Sequence, residues 1–486
     1  MISAEPRATF RDPAGSLRFD GDRVLRTINP AARAEVLELL SLPFCQSMQR
    51  RGDLIHAEID DSNDQLVLCH PRIAIPSYPW EWTPTQWLAA ADLTLDLCEE
   101  ALHHGWILKD ATPLNVLFNG PRPIFVDILS FERRELVGRT NANGSNPTGR
   151  SSSLWLAYGQ YVRTFLLPLL MNCLLHWPLA LSLFHRDGLE PTECFAALPW
   201  RRRLSFAALF PITLPALLDR RKRSTNPAAV PPDSGPAKDP RSIDPDLATQ
   251  ILHRTLRILR RRTHRALPHS MVSDWSDYAQ TLNHYTAEDS HQKFDWVHHT
   301  LVSTRPSRVL DVGANTGEFS ALAASLGADV VAIERDQASA DRLFRMARNR
   351  NLSIHTLHAD LARPTPSVGW LNSESSALLP RLAAQFDLVL LLAVIHHLLL
   401  IEQIPLPQII DLCHSLTRRH LIIEWVPVDD PMFQSLLRGR EALYGQLSEA
   451  DLLDACTTRF RPLDRHALPN GRILLLFERS NSPTQR

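Results

Sequence analysis

No Cys-x-x-Cys pair occurs among the seven cysteines (Cys45, Cys69, Cys98, Cys173, Cys194, Cys413 and Cys456). That excludes a zinc ribbon and a thioredoxin-like motif, and no metal site is expected. An odd, dispersed set of thiols in a long chain points to a reducing compartment, so a cytoplasmic location is expected. Lysine is scarce while arginine is abundant, a bias that fits the base composition of a coding sequence and draws attention to Lys109 and Lys293. Neither sign of charge dominates: a net charge of -1 excludes a chain that is strongly basic or acidic as a whole. No internal repeat is visible. Met1 to Asp20 carries charges throughout and no apolar core, so no signal peptide is expected.

What is present is length. At 486 residues the chain exceeds one ordinary core, and two or more domains are expected. Ser224 to Pro245 is rich in Pro, Ser, Ala and Asp and reads as a flexible linker over 224–245. A shorter one is Thr140 to Ser153. The expected division is an N-terminal domain over 1–223, the linker, a helical lead-in over 246–307, and an α/β domain over 308–480. Thr164 to Phe184 is almost wholly apolar, and Leu204 to Leu218 is apolar again between arginine clusters. Length alone makes the first run a membrane candidate, but Pro168, Asn172, His176 and Pro178 interrupt it. Buried, broken helices are therefore expected, with 164–218 also open to a membrane-surface contact. Arg254 to Arg265 is arginine-rich, which suits either phosphate contact or, more commonly, a solvated helix face.

From Arg308 short β-rich runs alternate with helical ones. The strands read RVLDV, DVVAIE, LSIHTL, DLVLLLA and HLIIEW, with helices over Phe319–Leu326, Gln337–Asn349 and Pro407–Thr417. Such alternation implies a parallel sheet covered on both faces. RPLDRHAL and RILLLFE, separated by Pro469-Asn470-Gly471, predict a closing hairpin. Five parallel strands plus that hairpin give a Rossmann-like fold of the class I methyltransferase type, and a plain dinucleotide-binding domain does not usually end this way.

The strongest motif is VLDVGANTGEFS, Val309 to Ser320. A buried strand ends at Asp311, a tight turn follows from Gly313 to Gly317, and a helix begins. Ligands of such sheets bind beyond the carboxyl ends of the strands. A nicotinamide or flavin site needs glycines where Asn315 and Glu318 stand, and Glu318 would repel a pyrophosphate from the helix N-terminus. S-adenosylmethionine has a sulfonium and an ammonium and no phosphate, so an acidic loop suits it. Asn315 can take the left-handed conformation of a second glycine. Glu334 closes the second strand, placed for the two ribose hydroxyls. Asp360 follows the third strand and could meet the adenine amino group in this reading, or else is a helix cap or a surface charge. The expected cofactor residues are Asp311, Gly313, Asn315, Gly317, Glu334 and Asp360. His396 and His397 follow the fourth strand, where a base would take a proton from a substrate hydroxyl or amine; a structural pair is an equal alternative. Glu424, ending the fifth strand, is a second candidate base.

Taken together, VLDVGANTGEFS, VVAIERD, LAVIHHL and IEWVPVDDPMF resemble the methyltransferases related to the host-specific nodulation protein of rhizobia. Asn283-His284-Tyr285, Lys293, Val368-Gly369-Trp370, Asn372, LKDATPLNVLF and FVDILSFE belong to the same pattern. The resemblance covers most of residues 70–480 apart from the linker, which looks like a departure. It implies an S-adenosylmethionine-dependent methyltransferase with an attached N-terminal domain. It leaves the acceptor open: a small molecule, glycan or lipid-linked compound leads, and nucleic acid is not expected as a partner. RNA methylation stands as an alternative on Arg254–Arg265, and a non-catalytic binding protein as another.

The N-terminal domain is expected to be mainly helical α+β. Asp110, four residues, Asn115, a strand pair and Asp127 resemble the catalytic and metal-binding segments of kinase-like phosphotransferases, in which the first Asp orients a hydroxyl and the other two groups hold magnesium. No glycine-rich loop precedes them, and Ile128-Leu129 stands in place of Phe-Gly. A binding module on a kinase-like helical lobe is the expectation. Simple capping by Asp110 and Asn115 is the alternative.

Overall fold

A computed structural model describes residues 12–60, 65–134, 155–225, 245–268, 273, 286–437 and 439–480. Residues 226–244 of the expected linker, Thr140–Ser153, and Asn283-His284-Tyr285 lie outside the described residues. The chain divides into two compact units. One comprises Arg7–Leu117 and Pro123–His269; the other comprises Ser270–Arg486 and Phe118–Arg122.

The first unit opens with an antiparallel sheet in the order β1-β2-β4-β3. Its strands are β1 (Gly15–Asp20), β2 (Arg23–Ile28), β3 (Glu58–Asp60) and β4 (Val67–Pro71). The long helix Pro84–His103 follows. Thr83 caps it by accepting from the Gln86 amide at 3.2 Å while the Gln86 side chain accepts from the Thr83 amide, and Pro84 fits the first turn. Then come β5 (Trp106–Leu108), β6 (Val116–Asn119), β7 (Arg122–Phe125) and β8 (Phe131–Arg133), with β6 and β7 paired and β5 antiparallel to β8.

The apolar run after Thr164 is a broken helix with a buried face. Tyr158–Tyr161 passes into a widened π-helical turn, Val162–Leu166, and on into Leu167–Leu175. Pro168 lacks an N–H and crowds the carbonyl four residues back, and a widened turn just before it relieves both. Phe165, Leu166, Leu169 and Met171 are buried. No helix among the described residues is long and apolar enough to cross a membrane.

The expected lead-in over 246–307 is two separate things. Its helix Pro245–Arg265 belongs to the first unit, where Leu252, Leu256, Leu259 and Thr263 are buried at helical spacing. Arg260 pairs with Asp92 (3.3 Å) and Asp96 (2.6 Å), and His264 meets Asp92 at 2.9 Å. The sequence shows an amphipathic helix but not which core it covers, and that placement decided the boundary. The helix Ala287–Thr304 belongs to the second unit.

The second unit is built on β9 (Arg308–Val312), β10 (Asp329–Glu334), β11 (Ile354–His358), β12 (Phe386–Leu391), β13 (Thr417–Trp425), β14 (Phe460–Ala467) and β15 (Ile473–Arg479). The strand order is β11-β10-β9-β12-β13-β15-β14. The first five are mutually parallel, and β15 inserts antiparallel between β13 and β14. Both faces are covered, so alternation is lost and the strands read as continuous apolar runs. Val309, Val330, Leu388 and Ile422 pack in one cluster with Val297, Leu301 and Leu343 from the helices, each such side chain stabilising by about 1.5–3 kcal/mol on burial. The order turns at β9 and β12, and this places a crevice beyond their carboxyl ends.

Candidate active site

The loop after β9 is shaped by residues that tolerate positive φ. Gly313 lies at +69°, Asn315 at +50° and Gly317 at +88°. A Cβ on Gly313 would sit 2.6 Å from Val394 Cγ2, so the loop lies directly against the segment that follows β12. A Cβ on Gly317 would sit 2.8 Å from Leu343 Cγ, and Gly317 begins the helix Glu318–Ser325. The Gly313 and Ala314 amides both donate to the Ile333 carbonyl, at 2.9 and 3.1 Å, tying the loop to β10.

Three acidic groups and one amide give the loop its chemistry. Glu334, buried at the end of β10, accepts the Asn315 amide at 2.8 Å on one oxygen and the Asp336 amide at 2.7 Å on the other. Burial raises its pKa, and the two backbone N–H groups oppose the rise. Asp311 is buried in β9 and accepts from Ser320 Oγ at 2.6 Å. Burial pushes its carboxyl up to about 6 against the pull of Ser320 and Lys293. Asn315 Oδ1 is buried and has no hydrogen-bond partner among the described residues, so an acceptor is left open in the loop. Asp360 accepts the Ala362 amide at 2.9 Å and lies 3.4 Å from Arg363, a turn-capping arrangement in which its oxygens already have partners.

These features fit the cofactor expected from the sequence. S-adenosylmethionine needs a close backbone approach, carboxylate acceptors for its ribose and ammonium, and no phosphate cradle. The positive-φ loop supplies the first; Glu334, Asp311 and the Asn315 carbonyl supply acceptors. Glu318 is exposed in the first helical turn, where a diphosphate would meet its charge.

Beyond β12, Ala393 takes φ +55° and the short helix Ile395–Leu400 begins. His396 is 2% exposed, and neither ring nitrogen has a hydrogen-bond partner among the described residues. Its ring centroid is 4.2 Å from that of His397. Burial lowers the pKa of His396 well below 6.5, and His397 and Arg472 add to this. His397 is lowered to about 4 by burial and by Arg335 and Arg472. Both rings are neutral at pH 7.

Glu424, expected as a second base, has a different setting. Its fully buried carboxylate takes Lys293 Nζ at 2.6 Å and Arg472 Nη1 at 3.3 Å. Arg472 in turn donates to Asp430 at 2.8 Å. A carboxylate held by two cations is a poor proton acceptor, and this one ties Ala287–Thr304 to β13 and β15. Arg472 and Asp430 stand within RILLLFE and IEWVPVDDPMF, but the sequence reading gave neither a role. The available signal was an arginine opening an otherwise apolar strand. The patterned residues Val368 and Gly369 lie in a small exposed loop, where Val368 bridges Ser375 and Trp370 points to solvent.

In the first unit, Asn115 and Asp127 converge on Ser130: Asn115 Nδ2 donates to Ser130 Oγ at 2.9 Å, and Ser130 Oγ donates to Asp127 Oδ2 at 2.5 Å. Asp110 stands nearby, its pKa raised by burial and then by the charge of Asp127. Arg26, buried on β2, pairs with Asp127 at 2.7 Å.

Residues 274–416 match a family model described as a methyltransferase domain. Nodulation protein NoeA of Rhizobium meliloti (strain 1021) is 29% identical over 498 residues, spanning 99% of this chain and 98% of that protein. Among solved structures, magnesium protoporphyrin IX methyltransferase from Synechocystis PCC 6803 with bound SAH is 20% identical, covering 40% of this chain and 84% of that one at a TM-score of 0.29. The N-methyltransferase NodS from Bradyrhizobium japonicum WM9 is 14% identical, covering 40% and 97% at a TM-score of 0.30.

Proposed function

We propose that this chain, a class I S-adenosylmethionine-dependent methyltransferase related to the nodulation proteins, methylates a hydroxyl or amine of a small-molecule, sugar or lipid-linked acceptor, with His396 receiving the proton. The observation that carries the proposal is His396 itself. A buried imidazole with both nitrogens unpartnered among the described residues is costly, and His396 follows by two residues the Val394 that lies against Gly313, which gives that cost a use.

The bound cofactor supplies an electrophilic methyl on a sulfonium. The chain's own groups do the rest. Glu334 would hold the ribose hydroxyls on lone pairs left over from its two amide bonds. Asp311 and Asn315 Oδ1 would accept from its amino-acid end, while Asp360 is spent on its own turn. Val394 closes the crevice against Gly313 and narrows the approach to the methyl. His396, neutral at pH 7, accepts the acceptor's proton as the new bond forms. His396 would gain its charge as the cofactor lost its own, so the buried imidazolium would add no net charge to the site. Glu424 holds Lys293 and Arg472 in place and takes no proton.

The test is mass spectrometry of cell extracts incubated with the cofactor and either the wild-type protein or His396→Asn. A species heavier by one methylene with the wild type alone supports the proposal. Methyl incorporation confined to RNA, or undiminished by His396→Asn, contradicts it.

The Arg26–Asp127 pair favours a second reading for the first unit: a kinase-like lobe that binds but does not transfer phosphate. Asp127, the residue expected to hold magnesium, is already neutralised by a guanidinium. Magnesium-dependent ATP hydrolysis by the full chain, abolished by Asp127→Ala, would overturn it.

A further inference from the structure

The helix that runs through Phe206–Ala208, the π turn Leu209–Thr213 and Leu214–Thr225 carries an apolar stripe turned to solvent. Phe206, Phe210, Leu214, Leu217 and Leu218 recur at helical spacing and are all exposed, Phe206 by 70% and Leu218 by 58%. The opposite side is filled: Ala208, Ile212 and Ala216 are buried. Thr213 Oγ1 donates to the Arg203 carbonyl at 2.6 Å, which folds the turn Trp200–Leu204 against this helix. Trp200 and Leu204 in that turn are each 67% exposed. A contiguous exposed apolar face of this kind marks an interaction surface rather than scattered surface residues.

Its charges say what it meets. From Trp200 to Arg223 the sequence holds seven basic residues and one acidic one, Asp219. They sit at the two ends of the stripe, Arg201–Arg203 before it and Arg220–Arg223 after it. Arg201 and Arg220 are exposed. Guanidiniums lie over aromatic faces at the rim: Arg201 over Trp200 at 5.3 Å and Arg262 over Phe210 at 5.1 Å. A second copy packed antiparallel on this stripe would bring its basic ends together, at an electrostatic cost. An anionic bilayer takes the apolar face below its headgroups and pairs the exposed Arg201, Arg202 and Arg220 with lipid phosphates, and a tryptophan suits that boundary.

We propose that Trp200–Leu218 docks the protein, in plane, on an anionic membrane surface. The helix lies on the bilayer and does not cross it. This surface belongs entirely to the first unit, so its test is independent of the methyl acceptor.

The experiment is sedimentation of the full chain with vesicles of phosphatidylcholine alone, or of phosphatidylcholine with one third phosphatidylglycerol, at low and high salt. The expected result is binding to the anionic vesicles, reduced by raised salt. The double variant Phe206→Ser/Leu218→Ser and the double variant Arg201→Gln/Arg202→Gln should each weaken it by about tenfold. An unchanged circular dichroism spectrum and an unchanged first melting transition certify that each variant is folded. Equal binding by wild type and both variants, or no binding to either vesicle, overturns the proposal. Self-association abolished by the Phe206→Ser/Leu218→Ser change, without vesicle binding, overturns it in favour of a second copy.

Discussion

Glu334 and His396 face opposite demands. The Glu334 carboxylate accepts two backbone amides that hold the loop in shape, and it must still offer lone pairs to a ribose. Hydrogen bonds to charged groups contribute about 1.5–3 kcal/mol each, so Glu334→Ala should weaken S-adenosylmethionine binding by roughly 10- to 100-fold. Glu334→Gln should fall between the two, as read by calorimetric titration. His396, by contrast, has no partner to lose. His396→Asn should lower kcat by about 100-fold or more while leaving cofactor affinity within roughly twofold. Because the pKa of His396 lies well below 6.5, its proton-accepting form persists as pH falls. The wild-type rate should therefore hold level from pH 8 through 6, whereas a base of ordinary pKa would show a decline through 6.5. A decline there in the kcat profile would count against His396 as the proton acceptor.

At the scale of elements, the buried ion cluster decides how the helix Ala287–Thr304 is held. Lys293 reaches from that helix to Glu424 on β13, and Arg472 reaches from the residue before β15 to Glu424 and Asp430. Removing one partner of a buried pair costs about 3–5 kcal/mol. Lys293→Met should thus lower the urea midpoint sharply, and Lys293→Met with Glu424→Gln should recover part of the loss in a double-mutant cycle. If the single change costs nothing, the cluster does not tie these elements together. This cluster also marks where the sequence stopped being legible. β9 and β10 read off directly from apolar runs with sharp polar ends, and Pro469-Asn470-Gly471 announced the last hairpin. β13 begins three residues earlier than its apolar run, because Thr417, Arg418 and Arg419 extend it through backbone pairing that side-chain pattern does not encode. Nor does pattern reveal that Arg472 meets a carboxylate 48 residues away. Gly313, Asn315, Gly317 and Glu334 were legible because a turn and a strand end need those residue types locally. The setting of Glu424 was not, since it depends on two cations from elsewhere in the chain.

For the whole molecule, the buried imidazoles set the acid limit. His70, His355 and His397 are each lowered from 6.5 to about 4, chiefly by burial. Below pH 6.5 the unfolded chain takes up protons that the folded chain refuses until about 4, so stability falls as pH falls through that window. Each ring contributes on the order of 2–3 kcal/mol over the full window. Asp311 works in the other direction. The folded chain holds its proton up to about 6 while the unfolded chain releases it near 3.8, so its contribution is present below 3.8 and gone above 6. Glu334 and Asp110, also raised, act in the same direction as Asp311, but the four buried imidazoles, His396 included, carry the larger shifts, and the melting temperature should drop between pH 6.5 and 4.5 in scanning calorimetry.

The most direct measurement is calorimetric titration of S-adenosylmethionine into the wild-type chain and into Gly313→Arg. The side chain added there would enter the crevice between the loop and Val394. The account predicts a single site per chain in the wild type and its loss in the variant, with the circular dichroism of the two proteins unchanged. No binding by the wild type, or equal binding by the variant, would contradict it.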